Sequence, residues 1–520
     1  MKAMNLTDIL AQQMDREKDI PMFRQVYEII RKTILSGTIP AKAKLPATRL
    51  LSRELGISRN TLVMAYDHLQ SEGYVVSQTG SGTFVSDTFP SLTQLHADAT
   101  STLTDEIAHS PLTLSTRGLN LVRNAQASST QWGAFVAGIP DVTLFPHTTW
   151  MRMLRRRWRD PAPELLTYAH GAGYYPLREE VANYLRLARS VRAEPDQVVI
   201  TNGIHQSIRL LANLLADGGD SAWIENPAYW GARTVLKAAG LRTIPVDVDD
   251  EGLTLDGSHM REPPRLIFTT PSHQYPLGVM MSLARRRTLL EYAHLHKSWI
   301  IEDDYDSEFR FDGQPVASLQ GLDTHGRVIY LGTFSKTLFP GLRMGFMVLP
   351  KALSSHLALA LSEMYREGRL IDQAVLADFM AEGHYTTHIR RMRLHYARRQ
   401  SILRSAIHDV FGEDWPISTH EAGLHLVMHL PPGTDDVGIV LAAKSMDISL
   451  RPLSRYYADG NGPPGLLFGY ASVPDTQIRP LFLQLVQVIT PALEQAPCNR
   501  TQQEPDGSAG KLNTHAWSGA

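Results

Sequence analysis

The stretch GTFSKTLFPGLRMGF (332–346) places an amine, two hydroxyls and a guanidinium between two apolar runs. Lys336 follows Thr333 and Ser335, and Arg343 comes seven residues after the lysine. An amine can form a Schiff base, while hydroxyls and a guanidinium suit a phosphate. A single lysine after a strand is most often only a surface charge. The role of this one depends on what the rest of the chain places beside it.

The chain around this stretch alternates short apolar runs with amphipathic helical segments. One such helix has apolar residues at Ile204, Ile208, Leu211 and Leu215. Over residues 131–490 this alternation predicts an α/β fold, with a mostly parallel sheet flanked by helices and a smaller C-terminal lobe. The predicted strands are VVIT (198–201), SAWIE (221–225), LIFTT (266–270), SWIIED (298–303), VIYLGT (328–333) and GFMVL (345–349).

Polar residues follow the carboxyl ends of these strands, where open α/β sheets bind their ligands. The turn NGIHQ (202–206) starts a helix, so its backbone amides would suit a phosphate. The loop after the next strand offers Tyr229 as a ring that could stack on a flat cofactor. Asp303 offers a carboxylate and Lys336 an amine. Together these are the parts that pyridoxal 5'-phosphate (PLP) needs.

Composition bounds the remaining possibilities. The chain has 520 residues and a formal net charge of −2, which favours two or three globular domains and does not decide on nucleic acid. Cys498 is its only cysteine, so neither an internal disulfide nor a cysteine metal site is expected. No apolar run approaches the roughly 18 residues of a membrane span, and the first residues lack the apolar core of a secretion signal. These features predict a cytoplasmic location.

Residues 15–86 have the pattern of a winged helix-turn-helix. A helix over 21–37 is followed by a short helix over 48–56 and, after a tight turn, by a third helix over 58–73. The segment YVVSQTGSGTFV (74–85) predicts a hairpin around a glycine-rich turn. The region is net positive within a slightly acidic chain, which is typical of a nucleic-acid module.

In a helix-turn-helix the second helix enters the major groove, and its first residues face the base edges. Arg59 could contact a guanine and Asn60 an adenine, each through two hydrogen bonds. The alternative is a winged helix that binds only protein. The candidates for DNA contact are Arg49, Ser58, Arg59, Asn60 and Thr61, with Gly80, Ser81 and Gly82 at the wing tip for the minor groove.

Two segments show little periodicity. Residues 87–130 are rich in Ser, Thr, Ala and Asp and predict a linker. Residues 491–520 are rich in Gln, Pro, Asn, Gly and Ser and predict a disordered tail. A linker of this length is unusual inside one compact domain, so it favours two separate domains.

The two domains resemble known protein families. Residues 21–86 resemble the GntR-type winged helix, and residues 131–490 resemble fold-type I aminotransferases. Fused in this order, they resemble the MocR/GabR family of PLP-dependent transcriptional regulators. The motifs specific to that family are TPSHQYPLG (270–278), IIEDDYDSEFR (300–310) and GTFSKTLFPGLRMGF (332–346).

This resemblance implies a DNA-binding transcriptional regulator. It would bind PLP and sense an amine or amino acid effector by exchange of the lysine aldimine. It would act as a homodimer on double-stranded DNA whose operator carries repeated half-sites. The alternative is a catalytically active PLP-dependent aminotransferase with an accessory DNA-binding domain.

The resemblance also implies a role for each cofactor residue. Lys336 would form the Schiff base, and Asp303 would face the pyridine nitrogen. Tyr305 would hydrogen-bond the ring hydroxyl, and Tyr229 would stack on the ring. The phosphate would be held by Gly203, Ile204, His205, Gln206, Thr333, Ser335 and Arg343, with Tyr168 reaching it across a dimer interface.

Some positions depart from ordinary relatives. SHQYPLG replaces the asparagine loop of ordinary aminotransferases, so His273 or Gln274 would take that role. An effector carboxylate needs a cation, and SLRPLSRYYADG offers Arg455 as the first candidate and Arg451 as the second. Some family members carry an arginine two residues after the stacking tyrosine. This chain has Gly231 there, so its effector need not match theirs.

Overall fold

The computed structural model describes residues 6–15, 20–78, 80–87, 114–123, 132–169, 171–312, 317–366, 368–418 and 422–495. Most of the predicted linker and tail therefore lies outside the described residues. The chain forms two compact units, Met1–Thr113 and Leu114–Ala520. Among the described helices, none has the length and apolarity needed to cross a bilayer.

The first unit is a winged helix-turn-helix, as predicted. Its elements are α1 (Leu6–Gln13), α2 (Met22–Leu35), α3 (Thr48–Leu55), α4 (Arg59–Ser71), β1 (Val75–Gln78) and β2 (Gly82–Val85). Val26, Ile30 and Ile34 of α2 recur at helical spacing and are fully buried. Gly56 ends α3 in the left-handed conformation (φ 61°), and the Ser58 hydroxyl caps α4. The tight turn between the two helices follows from these two residues.

Helix α1 lies before residue 15, where we predicted the domain to begin. Its Leu6, Ile9 and Leu10 are buried in the same core as Ile30 of α2. These apolar residues form a stripe of barely one helical turn, which is too short to distinguish a helix by periodicity. The folded domain therefore begins no later than Leu6.

The second unit is built on a mixed sheet of eight strands. These are β3 (Val198–Thr201), β4 (Ser221–Asn226), β5 (Arg242–Asp249), β6 (Gly252–Leu253), β7 (Leu266–Thr269), β8 (Trp299–Asp304), β9 (Val328–Thr333) and β10 (Gly345–Val348). Their spatial order is β3-β10-β9-β8-β7-β4-β5-β6. β4, β5, β7, β8 and β9 run parallel, whereas β10 is antiparallel to β3 and β9. The predicted α/β fold with a mostly parallel sheet is confirmed.

All six predicted strands are present, and β5 and β6 are additional. β5 reads RTIPVDVD, in which Pro245 and three charged residues interrupt any apolar run. It lies next to the outermost strand, so much of it stays solvent-accessible. β6 pairs only with Val248 and Asp249, so most of β5 has one free edge, which explains why its composition did not predict a strand.

Helices cover both faces of this sheet, and a small lobe follows it. The small lobe has a three-stranded antiparallel sheet in the order β11-β13-β12. Its strands are β11 (His425–His429), β12 (Arg451–Pro452) and β13 (Gly465–Gly469). The helices are α5 (Thr116–Arg123), α6 (His147–Arg159), α7 (Tyr175–Arg189), α8 (Ile204–Leu215), α9 (Trp230–Ala238), α10 (Leu283–His296), α11 (Leu319–Leu322), α12 (Phe334–Thr337), α13 (Lys351–Tyr365), α14 (Leu370–Ala381), α15 (His384–Phe411), α16 (Asp436–Lys444) and α17 (Asp475–Glu494).

The alternation of side chains along β8 orients its last two residues. Ile301 packs in the core shared with α8, α9 and α13, and Ile300 packs in the core shared with α10. Asp303 and Asp304 therefore lie on opposite faces of the sheet. The Arg189 guanidinium of α7 contacts the Asp304 carboxylate at 2.7 Å, and both are buried. This ion pair stabilises the end of the strand whose other face presents Asp303.

Candidate functional site

A cavity of about 310 Å³ lies where the loops after β3, β4, β8 and β9 meet the small lobe. Four of the predicted strand ends thus contribute side chains to one space. A fifth loop, after β7, contributes Thr270 and Tyr275. The predicted cofactor residues that line the cavity are Gly203, Ile204, His205, Tyr229, Asp303, Tyr305, Thr333, Ser335, Lys336 and Arg343.

The amine of Lys336 is held at the cavity wall. Its Nζ donates a hydrogen bond to the Gly138 carbonyl oxygen at 2.7 Å. Burial lowers the pKa of Lys336, and the carboxylates of Asp306 and Asp303 partly oppose this effect. A partly desolvated amine of lowered pKa is the form in which lysine acts as a nucleophile. Gly138 allows the close approach, because a Cβ there would lie 3.0 Å from the amine.

Asp303 is a buried carboxyl group that lacks a complete set of partners. Its Oδ1 has no hydrogen-bond partner among the described residues, and the side chain is 5% exposed. Burial raises the pKa of Asp303 to about 8, and the charge of Asp304 adds to this effect. A cationic donor in the cavity would satisfy this oxygen. The protonated ring nitrogen of PLP is such a donor, so this part of the site fits the cofactor.

The start of α8 and the turn around α12 fit a phosphate. α8 begins after Gly203 (φ 100°), and no side chain caps its first amides. Gly203, Ile204 and His205 line the cavity, so these amides are available to bind a phosphate there. Burial lowers the pKa of His205, and the charge of Arg343 lowers it further. Arg343 therefore lies close enough to add a cation at this helix start. Thr333 and Ser335 supply hydroxyls from the same cavity wall.

Tyr229 forms one unit with His205. Its hydroxyl lies 2.8 Å from His205 Nε2, and the two ring centroids are 5.7 Å apart. Gly231 leaves room for this pair, because a Cβ at that position would lie 2.5 Å from His205 Nε2 and 2.5 Å from the Tyr229 ring. The glycine therefore has a packing role in this chain, where an arginine would disturb the pair.

The structure places neither His273 nor Gln274 in the cavity wall. Gln274 is buried, and its Nε2 donates to the carbonyl oxygens of Pro227 at 2.7 Å and Tyr275 at 2.9 Å. His273 Nδ1 lies 3.0 Å from both the Asp306 carboxylate and the Tyr305 hydroxyl. Gln274 thus stabilises its loop through backbone hydrogen bonds, and His273 orients the Tyr305 hydroxyl from outside the cavity lining. Tyr275 is the side chain of SHQYPLG that reaches the cavity.

The structure places the second arginine candidate, Arg451, in the cavity wall and the first, Arg455, outside it. Arg451 lines the cavity, and its guanidinium forms no hydrogen bond or ion pair with the described residues. Arg455 is exposed and lies outside the cavity lining. The reason is local, because β12 pairs Arg451 with Leu467 of β13, and the following 3₁₀ turn buries Tyr456 and turns Arg455 outward. The sequence showed both arginines in one segment but not this change of direction.

Tyr168 and Gln206 lie elsewhere in this unit. Tyr168 is 72% exposed, with the guanidinium carbon of Arg366 5.8 Å from its ring centroid. It is absent from the cavity lining of its own chain, so a contact across a dimer interface stays a prediction. Gln206 accepts a hydrogen bond from the Asn202 amide through Oε1 at 2.6 Å and so shapes the turn before α8.

The candidate DNA-contact residues form an exposed edge of the first unit. Arg59 and Asn60 are exposed at the start of α4, and Arg49 is exposed at the start of α3. The Ser58 hydroxyl accepts a hydrogen bond from the Asn60 amide at 3.2 Å, so it caps the helix. Thr61 is half-buried.

The wing tip is exposed, and Lys44 lies beside it. Gly80 (φ 79°) and Gly82 (φ 117°) have backbone conformations that favour glycine, and Ser81 between them is exposed. A Cβ at Gly82 would lie 2.8 Å from Lys44 Cε. Lys44 comes from the loop before α3, and its position at the wing was not predicted.

Comparisons with known proteins agree with this architecture. The family "Aminotransferase class I and II" matches residues 142–475, and "Bacterial regulatory proteins, gntR family" matches residues 23–85. The probable rhizopine catabolism regulatory protein MocR of Rhizobium meliloti is 39% identical over 90% of this chain and 93% of its own length. The chain belongs to the MocR-type family of transcriptional regulators.

Solved aminotransferases share the fold of this MocR-type regulator. Kynurenine aminotransferase of Pyrococcus horikoshii, in complex with PMP, superposes with a TM-score of 0.67 at 25% identity and covers 76% of this chain and 100% of that one. LysN, the α-aminoadipate aminotransferase of Thermus thermophilus, superposes with a TM-score of 0.66 at 28% identity, over 72% and 97% of the two chains. The fold-type I aminotransferase fold is thereby confirmed.

Sequence reasoning missed several residues of the cavity in this MocR-type regulator. Gly138 comes from a segment before the first predicted strand, where no motif was apparent. Trp230, Tyr275 and Tyr456 each follow a residue that the motifs did emphasise. His425 lies in GLHLV, an apolar strand pattern in which a lone histidine is the available signal.

Asp303→Asn should stabilise the cofactor-free protein in a pH-dependent way. The pKa of Asp303 is about 8 in the folded protein and roughly 3.9 in an unfolded chain, so the folded state binds more protons between these values. The free energy of unfolding of the wild type therefore falls as the pH rises through this window, and the asparagine variant escapes that loss. Thermal unfolding from pH 5 to 8.5 should show the variant's advantage growing with pH.

Asp250→Asn is the matched control, since Asp250 is exposed and lies outside the cavity lining. It should show no growing advantage. A constant difference between Asp303→Asn and wild type across this pH range would contradict the assignment of a raised pKa to Asp303.

Proposed function

We propose that this MocR-type regulator binds PLP in the cavity, anchored by Lys336, and uses it to sense an amino acid. The observation that carries the proposal is that Lys336 and Asp303 line one cavity, and that Oδ1 of Asp303 has no hydrogen-bond partner among the described residues. When bound, PLP supplies an aldehyde that condenses reversibly with amines and a ring that withdraws electrons. The regulator class itself follows from the family.

The residues of the cavity divide into two ends. At one end the start of α8, Arg343, Thr333 and Ser335 would hold the phosphate through amides, a guanidinium and hydroxyls. Asp303 would hold a proton on the ring nitrogen, and burial of the carboxyl would strengthen that contact. Tyr229 would lie against the ring, fixed by its contact with His205.

At the other end Arg451 would bind the carboxylate of the effector. It is half-buried and has no anionic partner among the described residues, so a carboxylate is the group that it lacks. An amino acid would then occupy Arg451 with its carboxylate and approach the cofactor with its amine. Arg455 would contribute little, because it lies outside the lining.

Sensing requires that the effector change the protein's contacts, and not that products form. Lys336 would anchor PLP in the absence of effector, and its amine would be released when an effector amine takes its place; any difference in contacts between the two states can shift a conformational equilibrium. The alternative of a working aminotransferase is supported by the same Lys336. Rapid multiple-turnover transamination that is unchanged by deletion of residues 1–86 would favour that alternative.

DNA binding would use α4 and the wing. Arg59 and Asn60 are exposed at the N-terminus of the second helix of the motif, which is the part that meets base edges. A homodimer would present two such helices to two half-sites. The exposed Tyr168 is the residue that would complete a partner's phosphate site in that dimer.

Lys336→Ala should abolish the visible absorbance of the lysine-bound cofactor, because the amine that anchors it is removed. Borohydride reduction followed by peptide mass spectrometry should place a phosphopyridoxyl group on Lys336 in the wild type only. Lys351→Ala is the control, since Lys351 is exposed at the start of α13. Retention of the visible band in Lys336→Ala would refute the anchor assignment.

Arg451→Gln should weaken the spectral response to amino acids by about tenfold or more, because a charge-assisted hydrogen bond to the carboxylate is lost. The decarboxylated amines of the same amino acids should respond equally in variant and wild type. Arg455→Gln is the matched control and should resemble the wild type. If Arg455→Gln and Arg451→Gln were equally impaired, the assignment of Arg451 would be wrong.

Arg59→Ala should weaken specific DNA binding by roughly 1–3 kcal/mol if the guanidinium contacts a base. The probe is a fragment selected from a random pool by the full-length protein, at constant salt. Arg24→Ala is the control, because Arg24 lies on α2 and pairs with Glu28 at 3.4 Å. Unchanged affinity in Arg59→Ala would remove this residue from the DNA contacts.

A further inference from the structure

One wall of the cavity is aromatic and centres on Tyr275. The ring centroids of His425, Tyr456 and Tyr305 lie 5.1, 5.5 and 5.7 Å from that of Tyr275. The hydroxyls of Tyr275 and Tyr456 lie 3.1 Å apart and hydrogen-bond to each other. Burial raises the pKa of both tyrosines, and the charge of Arg451 opposes that rise in both. An effector held by Arg451 would therefore extend its side chain beside this wall.

His425 presents a defined tautomer at this wall. Its Nε2 lies 2.9 Å from the carbonyl oxygen of Pro276. A carbonyl oxygen can only accept, so Nε2 carries the proton and Nδ1 carries a lone pair. Nδ1 is buried without a hydrogen-bond partner among the described residues, and the side chain is 3% exposed. His425 lines the cavity, and Nδ1 is its one ring nitrogen without a hydrogen-bond partner among the described residues.

The His425 ring stays neutral at physiological pH. Burial lowers the pKa of His425 to about 3, with further contributions from His273 and from the charge of Lys336. Nδ1 can therefore accept a hydrogen bond but cannot donate one. An apolar ligand group at this position would leave Nδ1 without a hydrogen bond. A carboxylate oxygen is also an acceptor, so its lone pairs would repel that of Nδ1.

The charges of the cavity restrict the effector further. In the described lining the cationic side chains are Lys336, Arg343 and Arg451. The charge of Arg343 lowers the pKa of His205 at the start of α8, where the phosphate would bind. Arg451 is then the one arginine of this lining that can bind a carboxylate of the effector. Gly231 admits no additional arginine without displacing His205 and its partner.

We propose that His425 is a specificity-determining residue that accepts a hydrogen bond from a hydroxyl group on the effector's side chain. The inference rests on the proposed function and narrows the effector to monocarboxylic hydroxy amino acids. It separates them from apolar amino acids of the same shape, which leave Nδ1 unpaired. It also separates them from dicarboxylic amino acids, which find no second cation.

The test is a spectral titration of the PLP-loaded, full-length protein with three isosteric pairs. These are serine and 2-aminobutyrate, homoserine and norvaline, and 5-hydroxynorvaline and norleucine. They move a hydroxyl, or the methyl group that replaces it, along the side chain. At least one hydroxy amino acid should bind about tenfold more tightly than its methyl isostere, because only the hydroxyl satisfies the buried acceptor.

Two variants test the residue itself. His425→Phe keeps an aromatic ring and removes the acceptor, so the preference for the hydroxyl should disappear. His425→Asn places an amide oxygen near the position of Nδ1, so part of the preference should return. If His425 served only in packing, its substitution would weaken the binding of both amino acids of a pair equally. The ratio of their two affinities would then stay as in the wild type. Retained cofactor absorbance and circular dichroism show that each variant is folded.

Equal affinities within every pair in the wild type would overturn the proposal, even if all six amino acids change the spectrum. A hydroxyl preference that survives in His425→Phe would overturn it as well. The wild-type ratio needs no variant, so this first comparison does not depend on folding of a mutant. No spectral response to any amino acid would be a different result, in which the proposed sensing function fails and the inference falls with it.

Discussion

The burial of Asp303 beside Lys336 is the constraint on which the rest of the site depends. A carboxyl group with an unpartnered oxygen is costly in a protein interior, and it relieves that cost by holding its proton. The neighbouring amine is buried too and loses part of its own proton affinity. Burial thus disfavours the charged form of both groups, and a ligand that brings the opposite charges would offset that cost.

The strand beneath this pair makes the arrangement possible. Consecutive residues of β8 face opposite sides of the sheet, so two adjacent aspartates receive opposite environments. Asp304 has Arg189 as a buried partner at 2.7 Å, whereas Asp303 has the cavity. A one-residue slip of β8 against its neighbours would exchange the two carboxylates. β8 pairs in parallel with four residues of β7 and five of β9, and this register keeps the two carboxylates on their separate faces.

Much of this fold could be predicted from the sequence. Buried parallel strands appear as continuous apolar runs, and the polar residues that follow them form short motifs. These motifs singled out Lys336, Asp303 and Arg343, and all three line the cavity. β5 was missed because an edge strand need not be apolar, and α1 because one helical turn shows no period. The sequence ranked Arg455 above Arg451, whereas the structure places only Arg451 in the cavity lining, since a 3₁₀ turn decides which of the two faces inward. Tyr275, Tyr456 and Gly138 come together only through tertiary packing.

Gly231 limits how this protein can change its ligand over evolutionary time. Gly231 leaves no room for a side chain, since His205 and the Tyr229 ring fill the volume that a Cβ would need. A single substitution that introduces an arginine would cost the Tyr229–His205 contact before it could help to bind a second carboxylate. An effector preference that relies on such an arginine would therefore require His205 and Tyr229 to move as well. A relative's ligand is for this reason a poor guide to the ligand of this chain.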